Sequence, residues 1–322
     1  MTKTVKALKT YHLARLLLIF LCTLILISVL APSSFLTVTS FRSMAVQMPE
    51  LGFLSIAAAM VLISGGIDLS VTGVAIFSGI VSALILKNMG GTEAGFPSVI
   101  LAILAALLTG VLCGLLNAVL VAGLGLAPML ATLGTSNLFT GLGIVLSKGS
   151  AVTGFPESFQ KIGGGSLLGI PIPMVLFLAA IAGMAFLLNR SKYGFDLYMY
   201  GTNPTASFFS GVNNTKVVLV TYTLSGIISS VAGVLMVSRI NTAKADYGSS
   251  YGLQALLIAV LGGINPSGGS GRAIGLLLSI VTLQIISSGF NLMHVNSFIK
   301  DLTWGTLLLV VMVWNYVQQA KE

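Results

Sequence analysis

A single carboxylate, Asp68, stands in Gly65-Gly66-Ile67-Asp68-Leu69-Ser70 between two apolar stretches, where two chemistries are open to it. An acidic residue just after two adjacent glycines can accept hydrogen bonds from the amides that open the next helix, and Ser70 can do the same. An intramembrane carboxylate can also carry a proton or a cation. The structural cap is favoured, because no second carboxylate is expected within a span to continue a relay. Further along, Gln284, Ser287 and Asn291 recur at helical spacing and share a face, and Thr132 and Ser136 stand on the most hydroxyl-rich apolar stretch of the first half. Such groups line a wet path or bond neighbouring helices. No nucleophile, base and orienting group occur together at a convincing spacing, so an enzyme is not expected. Nor is there a G-x-x-x-x-G-K-[ST] phosphate loop, so nucleotide hydrolysis is not expected in this chain.

The elements that must position these groups are membrane helices. With 56% hydrophobic and 7% charged residues, 322 residues hold far more apolar side chain than one water-surrounded core can hide. The formal charge of +8 is scattered near span ends with a cluster at the N-terminus, a topology signal and not a nucleic-acid stripe. Lys3, Lys6, Lys9 and Arg15 precede the first apolar run, Leu16 to Leu30, which is read as a retained anchor and not a cleaved signal. Arg190, Lys192, Lys216, Arg272 and Lys321 are placed on the same, cytoplasmic side. Cys22 and Cys113 fall inside spans without ligand-like neighbours, so disulfide and metal roles are not expected.

The expected fold is all-α and polytopic, with about ten transmembrane helices, some short or broken, and both termini cytoplasmic. Residues 32 to 48 are read as an outside segment, followed by spans from about Glu50 to Ser64, Val71 to Leu86, Ser98 to Val121, Pro128 to Leu146 and Ile170 to Leu188. Later spans run from about Val217 to Val237, Ala273 to Phe290 and Leu302 to Val317. Arg239 to Ser250 is read as outside, and Leu253 to Leu261 as a short or re-entrant helix ending at Gly262-Gly263. Gly110, Gly114 and Asn117 form a close-packing face. The polar interval 189 to 216, broken by Gly194, Pro204 and Gly211 with a helical segment near residues 204 to 210, is too elaborate for a hairpin and reads as a cytoplasmic docking surface.

Five segments carry a resemblance. Gly65-Gly66-Ile67-Asp68-Leu69-Ser70-Val71, Ala131-Thr132-Leu133-Gly134, Gly201-Thr202-Asn203 with Ser210-Gly211-Val212-Asn213, Leu261-Gly262-Gly263 with Gly268-Gly269-Ser270-Gly271, and Asn291-Leu292 follow one another in order over nearly the whole chain. Together they resemble the permease subunits of bacterial ribose-type sugar ABC importers, a family that includes permeases for other simple sugars and for autoinducer-2. The resemblance implies one permease domain over residues 1–322 in the bacterial inner membrane, paired with a second permease chain and supplied by a periplasmic binding protein. It implies no cofactor in this chain, with ATP on partner ATPase subunits. Residues 189–216 would be the coupling loop, with Gly201, Asn203, Ala206, Ser210, Gly211 and Asn213 at the ATPase contact.

Alternating access would flex the breaks at Gly65, Gly66, Asp68, Ser70, Gly262 and Gly263, and Thr132, Ser136, Gln284, Ser287 and Asn291 would wall the path. The chain departs from the family where Thr202 and Pro204-Thr205 replace a second glycine and an acidic residue, and where Gly252 and Gln254 replace acidic residues. These changes leave the ATPase partner, the substrate and the identity of the second permease open. The alternative is a secondary transporter or channel driven by an ion gradient through Asp68.

Overall fold

The computed structural model describes residues 3–319, so Lys321 lies outside the described residues. The chain is a helical bundle in which nine helices, among the described residues, are long and apolar enough to cross a membrane, with one shorter apolar helix, Tyr251–Leu261. It is a multi-pass membrane protein. The elements in order are α1 Lys3–Leu30, α2 Pro32–Phe35, α3 Val38–Ile63, α4 Val71–Asn88, α5 Phe96–Ala118, α6 Pro128–Ser147, α7 Glu157–Gly164, α8 Ile172–Arg190, α9 Lys192–Thr202, α10 Pro204–Phe209, α11 Asn214–Ile240, α12 Tyr251–Leu261, α13 Ala273–Leu292 and α14 Ser297–Gln319. α5 runs on through a π-helical turn at Val119–Gly123.

Two helices form the centre. α3 is packed against α8, α11, α12 and α13, while α11 lies against α3, α4 and α5. Close approach on α11 comes from small residues, as in other lipid-embedded bundles where apolar burial gives no advantage over lipid. A Cβ at Gly226 would meet the Gly110 carbonyl, one at Gly114 the Tyr222 carbonyl, and one at Gly233 the Ala75 carbonyl. The Gly110–Gly114 face expected from sequence thus seats α5 on α11, while Asn117 bonds to Ser70 at the start of α4. α1 is largely exposed and rests on α13.

The structure corrects several boundaries. Residues 32–48 are not an outside loop: they are α2 and the first turns of a continuous α3 that begins at Val38. Pro49 inside α3 misleads the reading, because proline has no amide to donate and normally interrupts a helix. Here surrounding protein holds the helix through it, and Met48, Pro49 and Glu50 are all buried.

The same correction overturns the expectation of a lone intramembrane carboxylate. Glu50 is 1% exposed within α3. Arg239, expected outside, is in the last turn of α11 and binds both Glu50 oxygens at 2.5 and 3.1 Å, while also donating to the Tyr247 hydroxyl at 2.6 Å. Between the expected spans that end at Leu146 and begin at Ile170, the chain forms α7 and contributes to two small two-stranded ladders. One pairs Val152–Thr153 with Thr242–Ala243 and the other pairs Ser166–Leu167 with Ile170–Pro171.

Candidate functional site

Three glycine-bearing segments that are far apart in sequence meet at one point. The α3 helix ends at Ile63, whose carbonyl accepts a hydrogen bond from the Gly269 amide at 2.9 Å. Gly201, in the last turn of α9, is pressed onto the same place: a Cβ there would touch the Ile63 carbonyl and lie 2.6 Å from the Gly269 nitrogen. Gly268, at φ +87°, occupies left-handed backbone that side-chain-bearing residues rarely adopt, and a Cβ on it would lie 2.7 Å from the Gly65 nitrogen. Tyr198 donates its hydroxyl to the Gly271 carbonyl at 2.8 Å.

Gly262 packs backbone to backbone on Leu276 of α13, and Gly263 turns the chain out of α12 at φ +82°. At 1.5 Å per residue α12 is about 16 Å long, well short of a hydrocarbon core of about 30 Å. The irregular 262–272 backbone that follows it meets α3 and α9 at Gly268, Gly269 and Gly271, while Ser267, Ser270 and Arg272 are exposed.

From this knot the chain leads directly into α10. Asn203 caps α10, accepting from the Ala206 amide at 3.0 Å, with Pro204 at the first helical position. Ser207 donates to Asn214 at 3.0 Å, Asn214 donates to the Pro204 carbonyl at 2.8 Å, and Ser210 donates to the Ala206 carbonyl at 2.9 Å. Gly211 turns the chain at φ +83°, and Asn213 caps α11 by accepting from Lys216 at 2.9 Å.

The sequence-selected residues of this loop therefore build and orient the short helix. What the helix presents outward was not anticipated: Phe208 and Phe209 are 65% and 82% exposed, with ring centroids 5.8 Å apart. Phe195 is exposed beside a shallow depression lined also by Tyr198, Met199 and Thr202. Adjacent aromatics on a six-residue helix capped at both ends were the available signal. Tyr193 anchors α9 from beneath, its hydroxyl 2.8 Å from Thr221, and burial pushes its phenol up to about 12.

Asp68 sits in the break between α3 and α4, buried among hydroxyls. Its Oδ1 accepts from the Ser70 amide at 2.9 Å and the Ser70 hydroxyl at 2.6 Å, and its Oδ2 accepts from Ser225 at 2.8 Å. Asn117 donates to Ser70 at 2.7 Å and accepts from Thr135 at 2.6 Å. The break is thereby tied to α5, α6 and α11. Asp68 binds the amide at the N-cap position itself, whereas the Ser70 side chain caps nothing on α4, being engaged by Asp68 and Asn117.

The five residues expected to wall a path are dispersed. Thr132 is fully buried and accepts from the Leu69 amide at 3.1 Å, so its hydroxyl is used inside the break. Ser136 is half-buried, its backbone against Gly73. Gln284 is buried and donates to Ser288 at 3.3 Å; Ser287 is half-buried. Asn291 is exposed at the end of α13, accepts from Lys300 at 2.6 Å, and borders a cavity together with Ser288. Positions 284, 288 and 291 fit a helical face as well as 284, 287 and 291, and of the two serines Ser288 is the one that borders the cavity.

Residues 40–313 match a family model described as the permease component of branched-chain amino acid transport systems. The chain is 32% identical over 299 residues to the ribose import permease protein of Bacillus subtilis, covering 92% of this chain and 90% of that one. It is 33% identical over 273 residues to the autoinducer 2 import system permease protein of Yersinia enterocolitica, covering 82% and 79%. It is also 32% identical over 282 residues to the protein of that name in Escherichia coli K12, covering 84% and 83%. No solved structure matches the chain.

Proposed function

Since this chain belongs to the permease-component family of branched-chain amino acid transport systems, a family of transport subunits, we propose that it is the membrane-spanning subunit of an ATP-driven importer for a simple sugar or sugar-like molecule. The substrate class rests on relatives named for ribose and for autoinducer 2, not on the family's general description. In this reading a second permease chain, the same or paralogous, completes the path, a periplasmic binding protein delivers the substrate, and cytoplasmic ATPase subunits hold the ATP. The chain lies in the bacterial inner membrane with its N- and C-termini and residues 189–216 on the cytoplasmic side. Lys3, Lys6 and Lys9 before the first span support that orientation.

The observation that carries the reading is the path from α10 to α3. Exposed Phe208 and Phe209 offer the kind of aromatic anchors that dominate protein interfaces. Seated on an ATPase, they would pull on α9, and Gly201 would pass the displacement to Ile63 and Gly269 through backbone contact with no flexible side chain between. Alternating access then proceeds by rigid movement of packed helices, accommodated at the breaks following residues 63 and 261.

The gradient-driven alternative needs Asp68 to exchange an ion. Both its oxygens are engaged by Ser70 and Ser225, which favours the structural role.

Affinity recovery of the chain from detergent extract of its native membrane, with and without residues 203–211 replaced by a Gly/Ser segment, tests the proposal. An ATPase recovered with the unaltered chain and lost with the altered one is expected. No ATPase with either, under conditions that preserve other membrane complexes, overturns the importer reading and brings Asp68 forward.

A further inference from the structure

The end of the bundle opposite the coupling loop carries a feature that the coupling machinery does not use. Between the first turns of α3 and the last turns of α13 lies a cavity of about 260 Å³. Ser40, Ser43 and Gln47 border it from α3 and Ser288 and Asn291 from α13, with Thr37 at the mouth. Spacings of three and four residues put each set on one helical face, so two polar stripes confront one another. The lining contains no carboxylate. The nearby ammonium of Lys300 is held by Asn291 at 2.6 Å.

α3 is 26 residues long, about 39 Å, and Gln47 stands about 13 Å from its start. Amide and hydroxyl groups on a membrane helix are costly against lipid and are tolerated where protein or water meets them. Gln47 Nε2 donates to Ser43 at 2.7 Å, while no partner is recorded among the described residues for the Gln47 carbonyl oxygen. The lining offers several neutral donors and acceptors, with the Lys300 ammonium at its edge on Asn291, which suits a molecule with many hydroxyls. Neutral contacts of this type hold weakly, as a path must if its cargo is to leave.

We propose that this cavity is a low-affinity site for a neutral, polyhydroxylated small molecule entering the permease from the outside, with Ser43, Gln47, Ser288 and Asn291 as its principal contacts. The proposal rests on the importer reading for its direction of entry.

Its test is cysteine accessibility in the assembled importer. Gln47→Cys and Ser288→Cys are placed separately in a chain carrying Cys22→Ser and Cys113→Ala. Right-side-out vesicles are treated with a membrane-impermeant cationic methanethiosulfonate, with and without excess D-ribose, D-xylose or ribitol, and with gluconate as a charged control. Both cysteines are expected to react from the outside. At a sugar concentration about twice the dissociation constant the reaction slows about threefold, and gluconate leaves it unchanged.

Absence of labelling at both positions, with the proteins present in the membrane, overturns the proposal, as does labelling that none of the three neutral compounds slows. ATP-dependent uptake of the same compounds is measured in parallel. Uptake without protection removes the site and leaves the importer, whereas protection without ATP-dependent uptake of any of them, in a chain that recovers no ATPase, keeps the site and removes the importer reading.

Discussion

Replacing Gly201 by alanine adds one methyl group at the point where α9, the end of α3 and the 262–272 turn meet. The added Cβ would lie 2.6 Å from the Gly269 nitrogen, about 0.8 Å inside ordinary contact at 3.4 Å, and closer still to the Ile63 carbonyl. Both neighbours are backbone atoms joined by a hydrogen bond of 2.9 Å, so neither can rotate aside. Overpacking of a site that cannot relax costs about 1–3 kcal/mol. If that cost falls on one access state only, it shifts the equilibrium between states by about 5- to 150-fold.

Gly183→Ala is the matched control. It lies within α8 with nothing within 4 Å of the new Cβ, and the exchange of helical glycine for alanine is neutral or stabilising by up to about 1 kcal/mol. In proteoliposomes containing the whole importer, Gly201→Ala is expected to retain ATPase recovery and ATP hydrolysis while substrate moved per ATP falls about tenfold or more. Gly183→Ala should behave as the unaltered chain. If both variants move the same amount of substrate per ATP and melt at the same temperature, the contact is not used to transmit force and the mechanical route through Gly201 is wrong.

Three further outcomes follow from the same geometry. Phe208→Ser with Phe209→Ser removes the exposed aromatic pair without touching the caps at Asn203 and Asn213. ATPase recovery should weaken by at least about tenfold, about 1.4 kcal/mol or more, as expected for hot-spot aromatics, while the detergent-solubilised permease keeps its melting temperature. Glu50→Leu alone leaves Arg239, mostly shielded from solvent, without its counter-charge and should cost about 3–5 kcal/mol in thermal unfolding, whereas Glu50→Leu with Arg239→Met should recover most of it; additive losses in the cycle completed by Arg239→Met alone would show that the pair is not coupled. Asp68→Asn removes a charge that accepts from Ser70 and Ser225 and should destabilise by about 1–3 kcal/mol, with residual uptake still dependent on ATP and insensitive to collapse of the proton and sodium gradients. Uptake that follows a gradient instead would favour the ion-driven alternative.

The composition alone implies a helical membrane bundle, because a chain this apolar has few other ways to satisfy its backbone in lipid. Span centres were legible for the same reason, down to the short α12. Boundaries failed where a local rule met a tertiary exception. Pro49 reads as a breaker in isolation, yet α3 passes through it because helices on all sides hold its neighbours in place.

The Glu50–Arg239 pair was illegible because its partners are 189 residues apart, and each alone looks like a charge at a span end. In the sequence Gly65 stands out as a helix break, Gly201 as part of the docking loop and Gly268–Gly269 as part of a motif. Their convergence is a property of the packed bundle, and no pattern along one chain encodes which glycine faces which carbonyl. In the docking loop the polar residues stood out by type, whereas Phe208 and Phe209 did not, since exposed aromatics are unremarkable in an apolar sequence until the burial of everything around them is known.

α3 joins these observations into one mechanical element. Its last residue receives Gly201 and Gly269, its middle carries Glu50 paired to α11, and its first turns carry the polar stripe of Ser40, Ser43 and Gln47. At 1.5 Å per residue the knot is about 20 Å from Glu50 and about 30 Å from Ser43. The segment from Leu51 to Ile63 is buried throughout, so it can move only together with its neighbours, while most residues from Val38 to Gln47 are exposed or half-buried. Pro49 gives up one intrahelical hydrogen bond at the border between these two regimes. Under the proposed coupling, a displacement delivered at Ile63 is carried toward Glu50 by helices that shift as packed bodies. Beyond Pro49, where the polar stripe begins, a change of angle meets less packing. That division assigns rigidity to the half of α3 nearest residues 189–216 and compliance to the half nearest the cavity, which is the order required if movement begun at α10 is to reshape the opposite end of the bundle.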